Sequence, residues 1–220
     1  MTGKVVAITG ANAGIGKETA VALARMGAMV AMTSRDAGRG AEALADVRAR
    51  SGSSDVELLS LDLADLSSVR DFAVNHLGHF YLTSLLLDRL KASAYRSFDA
   101  YTKSKLADVY FTRELARRLA GTGVTVNAAH PGYVASRFGR DSDVYFEPLL
   151  QLGAKLIAIT PEAGARTSVC LATSPDVEGV TGGYYAKCKP AKISKNAADD
   201  VAARRLWDAS DALLAAALEP

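Results

Sequence analysis

Three glycines near the start of the chain, Gly10, Gly14 and Gly16, are spaced G-x-x-x-G-x-G. They follow the apolar run Val5 to Ile8 and precede a helical pattern that begins at Lys17. Glycine permits a tight turn and lets the backbone approach a phosphate group without a β-carbon in the way. The start of the next helix then presents unpaired N–H groups to the anion. The stretch predicts a pyrophosphate-binding turn, and an ordinary glycine-rich turn is the alternative.

A second pair of residues, Tyr101 and Lys105, lies four positions apart in a helical stretch and therefore on one helix face. An ammonium group near a phenol favours the phenolate and lowers the phenol pKa from its ordinary value of about 10. Such a tyrosine acts as a general acid or base toward an alcohol or a carbonyl. A solvated helix face is the ordinary alternative for such a pair. Downstream of a dinucleotide-binding turn, the catalytic interpretation is favoured.

The loop Ser34-Arg35-Asp36, after the second apolar run, supports two interpretations. An acid about 20 residues after the glycines is typical of a site for the ribose 2′-OH of NAD(H), and Asp36 fits that rule. An arginine just after the strand favours a 2′-phosphate, because its planar fork matches phosphate oxygens. Arg35 comes first, so NADP(H) is preferred, with NAD(H) as the alternative.

Asp62 follows the third apolar run, at the carboxyl end of a strand. There its carboxylate is placed to accept a hydrogen bond from an adenine amino group. The alternative is that Asp62 or Asp65 simply caps the next helix.

The apolar patterns that must position these residues indicate strands alternating with helices. The strands are expected at 5–8, 29–33, 55–60, 124–130 and 183–186, and the helices at 17–26, 37–50, 99–119, 161–174 and 197–214. Thr160 is the expected N-cap of the fourth of these helices, with Pro161 at its first position. Between the third and fourth strands, three helical stretches follow one another at 65–73, 74–91 and 99–119. A strand–helix–strand protein should not do this, because each crossover helix returns to a strand.

Pro131-Gly132-Tyr133-Val134 turns out of the fourth strand at its carboxyl end, the edge where such sheets bind ligands. The following residues, 137–160, form an insert that is expected to close over a site as a lid. Its apolar and aromatic side chains are Phe138, Tyr145, Phe146, Leu149 and Leu150.

The composition excludes several classes of protein. At 220 residues with 26 basic and 24 acidic side chains and no basic cluster, the chain is expected to be one domain, 1–220, that does not bind nucleic acid. Cys170 and Cys188 are expected to be reduced packing residues, and His76 and His79 lack a third ligand for a metal. No stretch reaches a membrane-spanning length and the N-terminal apolar run is too short for a signal peptide, so a soluble cytoplasmic protein is expected.

Four segments together resemble one family. TGANAGIG at 9–16, NHLGHF at 75–80, YTKSK at 101–105 and HPGYV at 130–134 are similar to the short-chain dehydrogenases/reductases. SRDAGRG, LDLADLSSVRDF, SKLADVYFTRELARRL and GGYYAKCK…LWDAS look more narrowly like the retinol dehydrogenase and WW domain oxidoreductase branch. The match covers nearly the whole chain.

The resemblance implies a Rossmann-like, doubly wound parallel α/β sheet and hydride transfer between NADP(H) and an alcohol or carbonyl. The apolar lid favours a small lipophilic alcohol, aldehyde or ketone as the substrate, and a homodimer or homotetramer is expected. By resemblance, Tyr101 is the proton donor or acceptor, Lys105 is its electrostatic partner and ribose ligand, and Asn75 supports the proton relay. Ser136 stands where the family often has a threonine at the nicotinamide carboxamide. The remaining expected cofactor contacts are Gly10, Asn12, Ala13, Gly14, Ile15, Gly16, Arg35, Asp62, Leu63, Pro131, Gly132 and Val134.

Two family segments are absent from this sequence. One is an Asn-Asn-Ala-Gly strand and turn, expected between Ala73 and Val74, and the other is a strand ending in the catalytic serine, expected between Ala94 and Tyr101. The same region has the three successive helical stretches. Either the chain has a true internal deletion, and the sheet lacks two central strands, or the sequence omits segments that the gene encodes. The first three strands are expected to pair in the order 3-2-1, and, if the deletion is real, strand 124–130 is expected beside the first strand.

Overall fold

The computed structural model of the chain describes residues 1–62, 65, 68, 97–134 and 158–218. Several expected features lie outside these residues: the helical stretches between 69 and 94, most of the 137–160 insert, and His76 and His79. The described residues form two compact units. The first comprises 1–62, 130–134, 158–174 and 186–188, and the second 65, 68, 97–129, 175–185 and 189–218.

The first unit begins with alternating strands and helices. Its elements are β1 (Val5–Ile8), α1 (Gly14–Arg25), β2 (Met29–Ser34), α2 (Ala37–Ser51) and β3 (Val56–Ser60). The three strands are parallel in the order β1-β2-β3, with Val6 opposite Val30 and Val30 opposite Val56. This confirms the predicted α/β fold and the adjacency of the first three strands.

The core of this unit lies between β2 and helices α1 and α2. Val30, Met32, Leu23 and Val47 are almost completely buried, and β2 is buried from Val30 to Ser34 because it is the central strand. Continuous burial explains why β2 is an unbroken apolar run and not an alternating pattern. Both ends of α2 carry sequence signals, since Asp36 caps its N-terminus and Gly52 ends it at φ 72°.

Helices α1 and α2 are also joined by an ionic network. Glu18 is only 8% exposed, and its carboxylate accepts hydrogen bonds from both terminal nitrogens of Arg50, one of them at 2.8 Å. Asp46 contacts Lys17 Nζ at 2.7 Å and Arg50 Nη1 at 3.3 Å. The network fixes the helix that follows the glycine turn against its neighbour, because a buried carboxylate must keep its cationic partner.

Helix α4 (Pro161–Thr173) completes the first unit and packs along α1. Its N-cap is Thr160, whose hydroxyl accepts a hydrogen bond from the Ala163 N–H at 3.3 Å, and Pro161 occupies the first turn. Both features confirm the prediction for this helix.

The second unit contains the long helix α3 (Ser97–Arg118) and the C-terminal helix α5 (Asp200–Leu218), which pack together. Trp207 stacks on Phe111 with the ring centres 5.7 Å apart, and the Arg118 guanidinium lies 4.6 Å from the Trp207 ring. Arg113 Nη2 contacts Asp200 Oδ1 at 2.6 Å. The two helices are thus held by aromatic and ionic contacts as well as by apolar packing.

A second sheet has the order β4-β5-β6, with strands β4 (Ala128–His130), β5 (Tyr184–Ala186) and β6 (Lys189–Pro190). The expectation that strand 124–130 would lie beside the first strand is wrong. The observed strand is shorter, and its segment pairs with residues 180–184: Ala128 N–H donates to the Gly183 carbonyl at 2.9 Å, and Asn127 Nδ2 donates to the Val180 carbonyl at 2.7 Å. The strand's segment thus finds its hydrogen-bond partners in a different sheet.

The expectation that both cysteines are reduced is also wrong. Cys170, near the end of α4, forms a disulfide with Cys188, with the two Cα atoms 5.7 Å apart. Cys188 belongs to the two-residue turn between β5 and β6, in which Lys187 (φ 52°) and Cys188 (φ 60°) are both left-handed. The Cys188 N–H donates to Thr167 Oγ1 at 3.4 Å. The sequence separation of 18 gives no sign of this proximity, which arises because the turn lies against α4.

Candidate active site

The glycine turn has the backbone that the sequence predicts. Gly10 and Gly14 have φ of 64° and 56°, and a β-carbon on either would meet nothing within 4 Å. Gly16 differs, since a β-carbon there would lie 2.6 Å from the Gly10 carbonyl oxygen. Two glycines are therefore required by conformation and the third by the close approach of α1 to the turn.

The N-terminus of α1 suits an anion. Ala13 is the N-cap in an extended conformation, no side chain caps the helix, and no acidic residue lies in its first turn. The first N–H groups of a helix have no partner within the helix, and the dipole makes this end positive. Together with the space left above Gly10 and Gly14, this arrangement fits the pyrophosphate of a dinucleotide.

Arg35 and Asp36 follow β2 but differ in their contacts. The Asp36 carboxylate accepts the Arg39 N–H at 2.9 Å and lies 3.2 Å from Arg39 Nε. The hydrogen bond from the Arg39 backbone, with a smaller contribution from the Arg39 side chain, lowers the pKa of Asp36. Arg35 is exposed, and no hydrogen bond or ion pair joins it to another described residue. The Asp36 side chain therefore caps the helix, whereas the exposed Arg35 side chain takes no part in such a contact.

The turn after β4 lies close to the start of α4. Gly132 has φ 86°, Ile159 N–H donates to the Tyr133 carbonyl at 2.8 Å, and Val134 forms a parallel bridge with Ile159. Val134 also approaches α4 and Ile15, because a β-carbon at Gly164 would lie 2.7 Å from Val134 Cγ2 and 3.2 Å from Ile15 Cγ1. The structure therefore brings the glycine turn and the 131–134 turn together in one unit.

The other predicted cofactor residues are described only in part. Asn12 and Ala13 lie in the glycine turn, and Asp62 comes two residues after the end of β3, half-buried. Leu63, Asn75 and Ser136 lie outside the described residues.

The predicted catalytic pair lies on α3, in the second unit, so Tyr101 and Lys105 do share one helix. Lys105 Nζ contacts Asp108 Oδ2 at 2.9 Å, and both side chains are about half exposed. Asp108 is a partner that the sequence reasoning missed, although its i+3 spacing from Lys105 was a signal for it.

A family comparison accounts for these features. The family model described as short chain dehydrogenase matches residues 4–87 and 70–143, which include the glycine turn, Tyr101, Lys105 and the 131–134 turn. The chain belongs to the short-chain dehydrogenase family. It is accordingly an NAD(P)-dependent dehydrogenase/reductase that transfers hydride and acts on CH–OH groups.

Among curated relatives of this short-chain dehydrogenase, human retinol dehydrogenase 14 is 37% identical, with 97% of this chain and 87% of the relative covered. Mouse retinol dehydrogenase 12 is 40% identical, with 96% and 86% covered. Dehydrogenase/reductase SDR family member 13 of Bos taurus is 38% identical, with 96% and 73% covered. These matches confirm the resemblance to the retinol dehydrogenases.

Solved structures confirm the fold. An uncharacterized protein from Mycobacterium paratuberculosis superimposes with a TM-score of 0.68 at 29% identity, covering 96% of this chain and 93% of that one. Actinorhodin polyketide ketoreductase, solved with NADPH, gives a TM-score of 0.63 at 19% identity over 84% of this chain and 97% of that one. The second likeness bears on the fold alone.

The alignments also show that this chain is internally short. The match to human retinol dehydrogenase 14 runs over 292 residues, whereas this chain has only 220. The relative therefore contains internal stretches with no counterpart here. This agrees with the two family segments that the sequence lacks.

Proposed function

We propose that this short-chain dehydrogenase uses NADP(H) in preference to NAD(H) and acts on a lipophilic alcohol or carbonyl compound. The observation that supports the cofactor preference is the difference between the contacts of Asp36 and those of Arg35, which both follow β2. Asp36, the acid that could bind a ribose 2′-OH, is occupied by Arg39, with its carboxylate accepting at 2.9 Å from the Arg39 N–H. Arg35 is exposed next to it and has a permanent charge that suits a 2′-phosphate.

The remaining cofactor contacts follow from the glycine turn. The N–H groups at the start of α1, with Gly10 and Gly14 leaving room above them, support a pyrophosphate position there. Asp62 accepts from the adenine amino group, and Pro131, Gly132 and Val134 with Ser136 contact the nicotinamide end. The remaining residues that contact the cofactor are Asn12, Ala13, Ile15 and Leu63. When bound, NADP(H) supplies or accepts the hydride.

The proton chemistry belongs to Tyr101. Its phenol gives a proton to a carbonyl oxygen during reduction or takes one from an alcohol during oxidation. The Lys105 ammonium, one helical turn away, stabilises the phenolate, and Asp108 holds that ammonium at 2.9 Å. Asn75 supports the proton relay.

Two features support a lipophilic substrate. The relatives in the comparison include proteins named retinol dehydrogenases, and retinol is an apolar alcohol. The insert 137–160 of this chain carries Phe138, Tyr145, Phe146, Leu149 and Leu150, which suit an apolar lid.

The described part of the chain contains no helix that is both long enough and apolar enough to cross a bilayer. The cytoplasmic location, the homodimer or homotetramer and the single-domain organisation remain predictions.

A second candidate function is dinucleotide binding with little or no turnover. It is favoured by the alignment of 292 residues, which leaves this 220-residue chain without internal stretches that the relative has. A missing serine strand would remove a hydrogen-bond donor to the substrate oxygen, and loss of such a donor typically lowers the rate about 100- to 1000-fold.

One experiment separates the two functions. The mass of the intact protein is measured first, to establish that the chain under test has 220 residues. Its binding of NADPH and NADH is then titrated, and turnover is measured with a panel of apolar aldehydes, ketones and alcohols. NADPH binding with turnover supports the oxidoreductase; NADPH binding without turnover supports the binding protein. Tighter binding of NADH than of NADPH would contradict the proposed preference.

A further inference from the structure

Helix α4 joins the two turns that surround the proposed cofactor site. Two residues before the helix begins, Ile159 is hydrogen-bonded to the 131–134 turn, with its N–H donating to the Tyr133 carbonyl at 2.8 Å, and it forms a bridge with Val134. Along its length, α4 packs against α1, the helix that begins at the glycine turn. A shift of α4 would therefore move one turn relative to the other.

Gly164 is a point of close approach in this arrangement. It is buried in the first turn of α4, and its N–H donates to the Thr160 carbonyl at 3.0 Å. A β-carbon at this position would lie 2.7 Å from Val134 Cγ2 and 3.2 Å from Ile15 Cγ1. Real β-carbons essentially never approach another atom to less than 3.0 Å, so even alanine requires Val134 to move.

The glycine is not explained by helix formation. Glycine inside a helix is about 1 kcal/mol less favourable than alanine, and the conformation of Gly164 is not left-handed. The residues on either side, Ala163 and Ala165, are both alanine. What the missing β-carbon provides at 164 is space for Val134 and Ile15.

We propose that Gly164 is a positioning residue for the nicotinamide half of the cofactor, acting through Val134. This inference rests on the proposed function, in which Val134 contacts the nicotinamide end while Arg35 and Asp62 hold the adenosine end. Displacing Val134 weakens the contacts with the nicotinamide end and leaves the contacts with the adenosine end in place.

The test compares two ligands on Gly164→Ala. The expected result is NADPH binding weakened about 5- to 20-fold, which is the lower part of the range that overpacking at one site produces. Binding of 2′,5′-ADP, which has no nicotinamide, should change by less than about twofold, because it needs only the adenosine end. A general loss of folding would weaken both ligands alike, so equal weakening overturns the proposal.

Two further variants sharpen the test. Arg166→Ala changes an exposed residue of the same helix and should leave both affinities unchanged. In the Val134→Ala background, Gly164→Ala should weaken NADPH binding by less than it does in the unmodified protein, because the smaller side chain leaves room for the new methyl group. An equal effect in both backgrounds, or unaltered NADPH binding in Gly164→Ala, contradicts the role of Gly164. If the unmodified protein itself fails to bind NADPH, the proposed function fails instead.

Discussion

The Asp36 carboxylate accepts a hydrogen bond from the Arg39 N–H at 2.9 Å and lies 3.2 Å from the Arg39 side chain. This contact makes Asp36 the N-cap of α2 and lowers its pKa, so the carboxylate stays charged and occupied. A charged carboxylate in the loop after β2 repels a 2′-phosphate unless a cation faces the phosphate. Arg35, which is exposed next to Asp36, is the residue that we expect to supply this cation.

Replacing Arg35 by alanine should weaken NADP(H) binding by about 1.5 to 3 kcal/mol, the range for a hydrogen bond to a charged group. NADH binding should change little, because NAD(H) has no 2′-phosphate. Arg39→Ala is the matched control, since it removes a neighbouring guanidinium that Asp36 already holds. Titration of both cofactors against the three proteins measures the effect, and equal losses for NADPH and NADH in Arg35→Ala would remove Arg35 from this role.

Tyr101→Phe should abolish turnover if the active chain contains the absent family segments, with a loss on the order of 100-fold or more. The phenol oxygen is removed while the ring remains, so NADPH affinity should stay nearly constant. A chain whose mass confirms 220 residues should instead show weakened cofactor binding and very slow or no turnover before any substitution. Strong activity of such a chain that survives Tyr101→Phe would place the proton chemistry elsewhere.

Reduction of the Cys170–Cys188 disulfide should lower the free energy of unfolding by about 3 kcal/mol, as expected for a closed loop of this length. Denaturant unfolding with and without a thiol reductant measures the change. Cys170→Ala provides the control, because its stability should not respond to the reductant. Two reactive thiols in the native, unreduced protein would contradict the bond.

Acid should weaken the contact between α3 and α5. The pKa of Asp200 lies below its ordinary value of 3.8, mainly because Arg113 donates a hydrogen bond to the carboxylate. The positive charges of Arg113 and Arg117 lower it further. A lowered pKa stabilises the fold above the unfolded-state pKa, and this stabilisation is lost as the pH falls through the folded-state pKa. Because Asp200 is about half exposed, we expect only about 0.2 to 1 kcal/mol.

Unfolding measured between pH 6 and pH 2 tests this prediction. Asp200→Asn should be less stable than the unmodified protein at pH 6, and the difference should vanish at the acid end. Asp55→Asn, at an exposed position, is the control. A constant difference across this pH range would show that the Asp200 charge is not the cause.

The sequence by itself determined the local elements of the first unit and the position of its glycine turn. The strands β1 to β3, helices α1 and α2, the Thr160 cap and the glycine turn all follow from short-range signals: periodicity, caps and the φ that only glycine adopts easily. Shared helical spacing likewise placed Tyr101 and Lys105 on one helix.

Only the tertiary structure decided the contacts between distant parts of the chain. It placed β4 in a sheet with β5, joined Cys170 to Cys188, and brought Gly164 against Val134 and Ile15. No local pattern marks these pairs, because a strand's edge pairs with whichever backbone satisfies its hydrogen bonds, and a helix fits against whichever surface leaves room for its side chains. Both choices depend on the packing of the folded chain and not on neighbouring residues.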